Sequence, residues 1–592
     1  MSISRKALVS AAIAALIGTM GTAAQPHPAQ AADSSVTYPA PGRDTGDLTG
    51  DGKIDEDDIS RLLAAVGTEQ SAPTWSSFSA ADYDADGRIS MSDVTAMSQR
   101  YVYDSDPFEI LEASIVEIQA AMTAGTLTSE ALTGMYLDRI GTYDDNRTLH
   151  SSGNALNSIL ALDQEVLNEA RSLDQERSTS GPRSILHGVP VVVKDNINTY
   201  DMPTTAGCGC LAGNQTGSDA RTVALLRAAG AVIIAKTNMS EFAFANLSSI
   251  SWLGGTTRNP YNLSRSPGGS SGGTAAAVAA NLTSFGLGTD TGGSIRVPSA
   301  WNALVGIRPT YGLVSREGVI PFIGARDTVG PMTRTVSDAA LALDALAGTD
   351  PQDATTAGAD AHIPASYATS LDDRSLEGAR IGYLAGLSGT TNGAVNRLTA
   401  RALDSLREQG ATVIELPAMS GLGAITGNNS FRVEMNQYLS AYVRPGYTLT
   451  DLIAVAEGPL AASSDDKSTQ TTWLQNQNAV TQAEYETWSS LFQQVQQDTR
   501  DAVDAYLETY DLDAIVYSST ESPTSTAALA KRISAVTGYP AITVPMGFAA
   551  TEQQPLGLEF LAGAYSEPLL IGFAYDYEQA THHRFSYTGL AI

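Results

Sequence analysis

The amino-acid sequence predicts an α/β fold for most of the chain, preceded by a small all-α module. In the large part, the short apolar run VPVVVKDN (189–196) is followed by the helical pattern TVALLRAAG (222–230) and then by AVIIAKTN (231–238). Buried strands that alternate with helices are typical of α/β folds. Ahead of them, two acidic repeats with calcium-loop spacing indicate the small module. We predict boundaries of 44–103 for the module and 108–592 for the large domain.

The composition supports a large packed core and excludes several classes of function. The chain has 592 residues, of which 43% are apolar and 17% charged, and its formal net charge is −29. Such a polyanion lacks the basic face of a nucleic-acid-binding protein. Two cysteines exclude a disulfide-built scaffold, and six histidines leave little for a zinc site. Because no run of about 18 apolar residues follows the N-terminal segment, we exclude a multispanning membrane protein.

The first 32 residues indicate an export signal. Arg5 and Lys6 precede the apolar stretch 7–24, and Ala29-Gln30-Ala31 is a small-residue cleavage candidate. The alternative is a membrane anchor that is never cleaved. Cleavage is favoured because the stretch is rich in Ala and Gly and ends in an Ala-x-Ala site. We therefore expect the mature protein to be secreted or associated with the cell surface, with no integral membrane domain.

The acidic pattern of the small module occurs twice, as DLTGDGKIDEDD (47–58) and DYDADGRISMSD (82–93). A 12-residue calcium loop supplies oxygen ligands from positions 1, 3, 5, 7, 9 and 12 and needs glycine at position 6, where Gly52 and Gly87 stand. Two tandem matches with both glycines favour calcium loops over a pair of solvated acidic turns. The predicted ligands are Asp47, Thr49, Asp51, the Lys53 carbonyl, Asp55 and Asp58, and in the second loop Asp82, Asp84, Asp86, the Arg88 carbonyl, Ser90 and Asp93.

Position 12 holds aspartate rather than the bidentate glutamate of sensor EF-hands, and a helical pattern follows each loop. In these features residues 44–103 resemble the dockerin module of secreted, cellulosome-type enzymes. The resemblance implies an EF-hand-like all-α fold, two Ca²⁺ ions and a cohesin-like partner protein. Thr49 departs from the usual Asn or Asp at position 3, so we expect the first site to be the weaker one.

Three segments of the large domain carry chemistry: the strand end at Lys194, the loop GGSSGG (268–273) and the loop TDTGGS (289–294). A helix over 274–282 would span about 13 Å, and a returning strand over 284–288 about 16 Å. The two loops should therefore lie side by side, with serines in both. The first loop lacks the Gly-Lys-Ser/Thr of a phosphate-binding loop, and the second lacks the glycine spacing and the helix of a dinucleotide site.

These segments resemble those of the amidase signature hydrolases. The matching stretches are GVPVVVKDN, AKTNMSEF, RSPGGSSGGTAAAVAAN, GTDTGGSIRVPSA and LVGIRPTYGL. The resemblance covers about residues 108–592 and implies a mixed central β-sheet sandwiched by helices. It also implies a triad with Lys194 as the base, Ser270 as a bridging residue held by a cis peptide, and Ser294 as the nucleophile.

The residue types suit amide hydrolysis by a serine. A serine hydroxyl needs a neighbouring base, and no histidine lies near these motifs. Lysine can serve when burial lowers its pKa, so we expect Ser294 to pass its proton through Ser270 to neutral Lys194 and to form an acyl-enzyme. Asp290 and Arg296 are interpreted as braces of the nucleophile loop. The oxyanion hole is assigned to the backbone N–H groups of Thr291, Gly292, Gly293 and Ser294.

The expected reaction is hydrolysis of a carboxamide with release of ammonia or an amine, and no cofactor is predicted for catalysis. The segment 555–584 resembles the secreted peptide-amidase branch, so C-terminal peptide amides rank first among substrates. The export signal argues against the glutamine-hydrolysing component of a transamidation complex. The alternative function is a noncatalytic anchoring or scaffold protein that binds through the dockerin-like module.

Two further pairs of residues receive structural interpretations. Cys208 and Cys210 could form a redox pair, but two free thiols are favoured, because a single intervening residue strains a disulfide. His582 and His583 are taken as the surface end of a helix.

Overall fold

Runs rich in Val, Ile and Leu form the strands of one large sheet, as their β-branched content favours. The computed structural model describes residues 48, 56–82, 87–90, 93–94, 97, 108–144, 155–244, 248–385, 392–417, 419, 422, 428–457, 467–520, 530–549 and 554–584. The strands in this part are β1 (Ile159–Leu162), β2 (Pro190–Lys194), β3 (Val232–Thr237), β4 (Ile250–Ser251), β5 (Gly255–Thr256), β6 (Phe285–Asp290), β7 (Val305–Arg308), β8 (Thr328–Thr333), β9 (Arg380–Tyr383), β10 (Thr412–Glu415), β11 (Ala514–Ser518), β12 (Ala541–Ala549) and β13 (Gln554–Leu561).

The sheet contains eleven of these strands in the order β1-β3-β2-β6-β8-β7-β12-β13-β11-β9-β10, and β4 and β5 pair separately. β2 runs parallel to β3 and to β6, whereas β6 and β8 are antiparallel. Because β2 and β6 are parallel neighbours, their carboxyl ends meet at one edge of the sheet. This edge carries Lys194 at the end of β2 and Asp290 at the end of β6.

Helices flank the sheet. They are α1 (Glu56–Ala64), α2 (Trp75–Phe78), α3 (Ile115–Thr123), α4 (Ser129–Tyr143), α5 (Val166–Ser180), α6 (Arg221–Ala228), α7 (Gly272–Ala279), α8 (Arg296–Trp301), α9 (Val336–Leu346), α10 (Gly393–Glu408), α11 (Phe431–Tyr442), α12 (Leu449–Ala456), α13 (Lys467–Asn478), α14 (Gln482–Thr509), α15 (Ala530–Thr537) and α16 (Glu567–Thr581). α7 and α8 contact each other and the sheet, while α16 packs against both α9 and α10, and these three helices also contact the sheet. The predicted α/β fold with a mixed central sheet flanked by helices is confirmed.

The local signals that begin these helices are visible in the sequence. Ser114 caps α3 through a reciprocal capping box with Glu117, and Thr128 accepts the N–H of Ala131 at the start of α4. α7 is built almost wholly from Gly and Ala and is completely buried, which lets it lie close against β6 and β2. Within the described residues, no helix is both long and apolar enough to cross a membrane.

The predicted export signal (1–32) lies outside the described residues, as do the predicted calcium ligands Asp47, Thr49, Asp51, Lys53, Asp55, Asp84 and Asp86. Of the remaining ligands, Asp58 and Asp93 are buried. Asp82 Oδ2 accepts the N–H of Gly87 at 3.1 Å, which closes the turn of the second loop. The described residues contain no group of three or more His, Cys, Asp or Glu side chains arranged to hold a metal.

Candidate active site

Lys194 is buried at the carboxyl end of β2. The two loops that contain serines, 268–273 and 289–294, lie at the same edge of the sheet. Lys194 Nζ lies 2.7 Å from Ser270 Oγ and 2.8 Å from Thr289 Oγ1. Burial disfavours the ammonium form and lowers the pKa of Lys194 to about 7, although the charges of Asp290 and Asp327 oppose this shift. At neutral pH the amine is therefore able to accept a proton from the serine hydroxyl that it contacts.

Ser270 is fixed by its backbone as well as by Lys194. A cis peptide bond joins Gly269 to Ser270, as the family resemblance implied. The Ser270 carbonyl accepts the N–H of Ser240 at 3.1 Å, and Ser249 Oγ lies 3.3 Å from the same oxygen. Ser270 thus lies on a loop that is held by neighbouring turns.

Ser294 lies on the loop after β6, and its side chain is almost completely buried. Its carbonyl accepts the N–H of Ser271 at 3.2 Å, which ties the two serine loops together. The predicted proximity of these loops is therefore observed. The hydrogen bond between Lys194 and Ser270 is formed. In the part of the chain that the structure describes, no hydrogen bond joins Ser270 Oγ to Ser294 Oγ. Catalytic contacts of free enzymes are often long before substrate binds.

The backbone N–H groups assigned to the oxyanion hole divide into two sets. Gly293 donates its N–H to Asp290 Oδ1 at 2.7 Å, so this amide is engaged within its own loop, and its assignment to the oxyanion hole stays a prediction. The amides of Thr291, Gly292 and Ser294 have no acceptor among the described residues. Thr291 is oriented by its hydroxyl, which donates to Asp327 Oδ1 at 2.5 Å. These three amides remain available to a substrate oxygen.

A buried group of charged residues contacts the loop that carries Ser294. Arg296 Nε donates to Asp290 Oδ2 at 3.0 Å, and its Nη1 lies 2.5 Å from Glu559 Oε1. Arg308 Nη1 reaches Asp290 Oδ1 at 3.1 Å. Burial opposes the charge of Asp290, but the two guanidinium groups outweigh it and hold the pKa of this carboxyl well below its usual range. The interpretation of Asp290 and Arg296 as loop braces agrees with these contacts.

Two supporting residues escaped the sequence analysis although both lie in the quoted motifs. Thr289 Oγ1 accepts from Lys194 and also from Asn196 Nδ2, at 3.1 Å. Asn196 follows Lys194 by two residues, and Thr289 precedes Ser294 by five. Their polar side chains next to strand ends were the available signal. The sequence does not indicate that Thr289 contacts Lys194 or that Asn196 holds Thr289 in place.

The expectation of free thiols at Cys208 and Cys210 is wrong, because the two residues form a disulfide. The chain bends sharply around Gly209, and the Cα atoms stand 5.1 Å apart, within the range that a disulfide spans. The N–H of Gly207 donates to Asp195 Oδ2 at 3.0 Å, so the bent loop is anchored to the residue that follows Lys194. His582 and His583 follow α16 at its surface end, as expected.

Comparisons with known proteins identify relatives of both parts of the chain. The amidase family model matches residues 136–571, and the dockerin type I model matches residues 45–101. A probable amidase of Arabidopsis thaliana is 35% identical over 496 residues, which cover 81% of this chain and 91% of that protein. A component of the glutamyl-tRNA(Gln) amidotransferase of Alkaliphilus metalliredigens is 32% identical over 497 residues, 80% of this chain and 97% of the relative.

A solved structure shares both the fold and the sequence pattern. The native peptide amidase from Stenotrophomonas maltophilia superimposes with a TM-score of 0.70 at 37% identity, over 82% of this chain and 100% of that one. A structure of the peptide amidase with the competitive inhibitor chymostatin matches with a TM-score of 0.69. The large domain therefore has the fold of an amide-hydrolysing enzyme.

Proposed function

Because the chain belongs to the amidase family, an amide-hydrolysing family, we propose that it cleaves carboxamides with Ser294 as nucleophile, Ser270 as proton relay and Lys194 as base. The observation that carries this proposal is the 2.7 Å contact between Lys194 Nζ and Ser270 Oγ inside a fully buried site. A lysine with a pKa of about 7 is a general base at neutral pH, whereas an ordinary lysine is protonated there.

The proposed reaction proceeds in two balanced halves. Ser294 Oγ attacks the amide carbon while its proton passes to Ser270 and the Ser270 proton passes to Lys194. The carbonyl oxygen becomes an oxyanion that accepts hydrogen bonds from the backbone N–H groups of Thr291, Gly292 and Ser294. Each such bond stabilises the transition state by about 2.7–4 kcal/mol. The C–N bond then breaks, and the amine leaves with the proton returned by Lys194 through Ser270. Water hydrolyses the acyl-enzyme along the same route.

Replacing the nucleophile tests this assignment. Ser294→Ala should abolish turnover of an amide while the circular-dichroism spectrum and unfolding temperature stay as in the wild type. Ser299→Ala is the matched control, since this buried serine lies five residues further on and its hydroxyl has no hydrogen-bond partner in the described structure. A fluorophosphonate probe should modify Ser294 in the wild type and in the control. Wild-type turnover by Ser294→Ala would refute the mechanism.

We propose a C-terminal peptide amide as substrate, on two grounds. One is the similarity to the peptide amidase of Stenotrophomonas maltophilia. The other is an aromatic cluster: Phe244 is 42% exposed and its ring lies 4.8 Å from that of Trp473 and 6.4 Å from that of Phe322. Phe244 lies on the turn that begins at Ser240, whose N–H contacts Ser270. An apolar side chain of a peptide amide would bury surface against this cluster.

Ammonia release from peptide amides, free amino-acid amides and aryl amides separates the substrate classes. Phe244→Ala should raise KM for peptide amides with an aromatic residue next to the amide by about tenfold, the effect of losing about 1.4 kcal/mol of apolar contact. Met135→Ala is the control, because Met135 is similarly exposed, at 38%, on α4. An equal rise in KM for peptide amides with alanine next to the amide would count against an aromatic subsite.

Export and calcium binding are further parts of the proposal. The disulfide between Cys208 and Cys210 favours an oxidising compartment. The mature N-terminus, sequenced from protein recovered outside the cell, should follow Ala31; an intact N-terminus on protein found only inside the cell would contradict export. Calcium suits the second loop because Asp82 Oδ1 is a buried carboxylate oxygen without a hydrogen-bond partner among the described residues. Calorimetry should show saturable Ca²⁺ binding that is weakened by Asp82→Asn and unchanged by Glu69→Gln.

An anchoring role is the second candidate function, favoured by the dockerin type I match at residues 45–101. The dockerin match implies a cohesin-like partner, and we propose anchoring as an addition to catalysis. Lack of turnover across the whole amide panel, together with calcium-dependent binding of a purified cohesin domain, would leave anchoring as the sole function.

A further inference from the structure

The described part of the small module at residues 44–103, here called the calcium module, packs against the large domain at 108–592, here called the amidase domain. Helix α1 buries Ile59, Leu62 and Leu63 completely. These side chains belong to the same hydrophobic cluster as Ile115 and Val116 of α3. The described residues from 46 onwards form one compact unit, without a division between the module and the amidase domain.

The contact is formed at one tight crevice and at one flanking turn. Ile59 and Val94 line the crevice together with Val116, Gln119 and Ile185, and the cavity left between them is only about 10 Å³, too small for more than one water molecule. Beside it, α1 packs against the turn Tyr367–Ser370. Well-filled apolar contacts of this kind are typical of a domain core.

The two repeats of the module contribute to this crevice in an equivalent way. Asp58 and Asp93 are the last predicted ligands of the two calcium loops, and each directly precedes a crevice residue, Ile59 or Val94. The two crevice residues are therefore offset by 35 positions, as the loops are. An ion that orders the end of either loop would also fix the first residue that contacts the amidase domain.

We infer that the calcium module is docked on its own amidase domain through α1 and the crevice, and that Ca²⁺ in its loops stabilises α3 through this contact. The intramolecular partner is the face of α3 with the segment around Ile185. The effect reaches the sheet, because Gln119 of α3 donates from Nε2 to the His187 carbonyl at 2.9 Å, just ahead of β2. A separate protein partner must bind a different surface of the module.

Amide hydrogen exchange on the full chain tests the docking without reference to turnover. Removal of Ca²⁺ by a chelator should speed exchange in both α1 and α3 by at least about tenfold, since amides of a coupled unit open together. Ile59→Asp should produce the same acceleration in α3 with Ca²⁺ present. Arg61→Ala is the matched control, because this residue is exposed on the same helix and should leave α3 unchanged.

A reciprocal variant guards against the trivial unfolding of the module by Ile59→Asp. Ile185→Asp alters the amidase side of the crevice only, and it should speed exchange in α1 while Ca²⁺ still binds by calorimetry. The inference is overturned if chelation or Ile59→Asp changes exchange only within residues 44–103, or if Ile185→Asp leaves α1 as protected as in the wild type. Absence of any effect of Ca²⁺ on exchange would overturn it as well.

Discussion

The burial of Lys194 makes a quantitative prediction about the pH dependence of catalysis. With a pKa of about 7, about half of this lysine is neutral at pH 7, against about one in 3,000 for an ordinary lysine of pKa 10.5. The difference corresponds to roughly 5 kcal/mol of disfavoured charge. We therefore expect kcat/KM for an amide substrate to rise tenfold per pH unit below about 7 and to level off above it.

Two variants and a control separate this explanation from other causes of the fall in kcat/KM at low pH, which we call the acid limb. Lys194→Met removes the proposed base at nearly constant volume and should lower kcat/KM by at least about a thousandfold at every pH, in line with the loss of general base catalysis. Asp327→Asn removes one of the charges that raise the pKa of Lys194, so the acid limb should move to lower pH. Asp404→Asn changes an exposed carboxylate and should leave the limb in place. A wild-type profile that stays flat down to pH 5 would refute the role of Lys194.

The same group affects the stability of the fold in a defined pH window. The folded pKa of Lys194, about 7, lies below its unfolded value, so between pH 7 and about 10.5 the unfolded chain binds more protons than the folded one. The free energy of unfolding contributed by this group therefore rises with pH in that window and stays constant below it. Lys194→Met should flatten this rise in denaturant titrations. An unchanged slope would mean that the lysine is charged in the folded protein.

Two predictions concern the framework of the site. Arg296→Met leaves the buried carboxylates of Asp290 and Glu559 without a shared partner and should lower the free energy of unfolding by about 3–5 kcal/mol in urea titrations; a loss below about 1 kcal/mol would contradict the pairing. Gly273→Ala places a methyl group 2.1 Å from a backbone carbonyl oxygen, so it should lower the unfolding temperature or prevent folding. Gly292→Ala is its control, because no atom lies within 4 Å of the added carbon, and equal destabilisation by both would refute the steric argument.

The local chemistry of the site could be predicted from the sequence because it depends on contiguous motifs. Lys194 ends an apolar run that reads as a buried strand, and a short helix and strand join the two glycine–serine loops. These features follow from hydrophobic pattern and element length. The three residues of the proposed triad could be brought together from the sequence because they lie at or next to the ends of such elements.

The supporting contacts could not be predicted because they join distant parts of the chain. Glu559 meets Arg296 across 263 residues, and no periodic pattern encodes that pairing. A carboxylate within the apolar strand β13 was the available signal, since a buried charge needs a partner.

The disulfide could not be predicted for a different reason. The distance between the Cα atoms of Cys208 and Cys210 depends on the bend at Gly209, which residue spacing alone does not determine. The packing of α1 against the amidase domain could not be predicted either, because the apolar face of α1 could equally have formed the core of the module itself.

The buried charge cluster of Asp290, Arg296, Arg308 and Glu559 also affects the pKa of Lys194. Removing Arg296 should shift the pH dependence of kcat/KM in the direction opposite to Asp327→Asn. Asp290 raises the pKa of Lys194, but Arg296 and Arg308 stand beside that carboxylate, and with Glu559 the four groups carry no net charge when all are ionised. The field of the cluster at Lys194 is therefore weak, and burial determines the pKa. Arg296→Met removes the guanidinium beside Asp290, so the negative charge that raises the pKa of Lys194 is less compensated, which favours the ammonium form. The acid limb of kcat/KM in the folded variant should thus move to higher pH, and a limb that stays at the wild-type position would show that burial alone determines the protonation of the lysine.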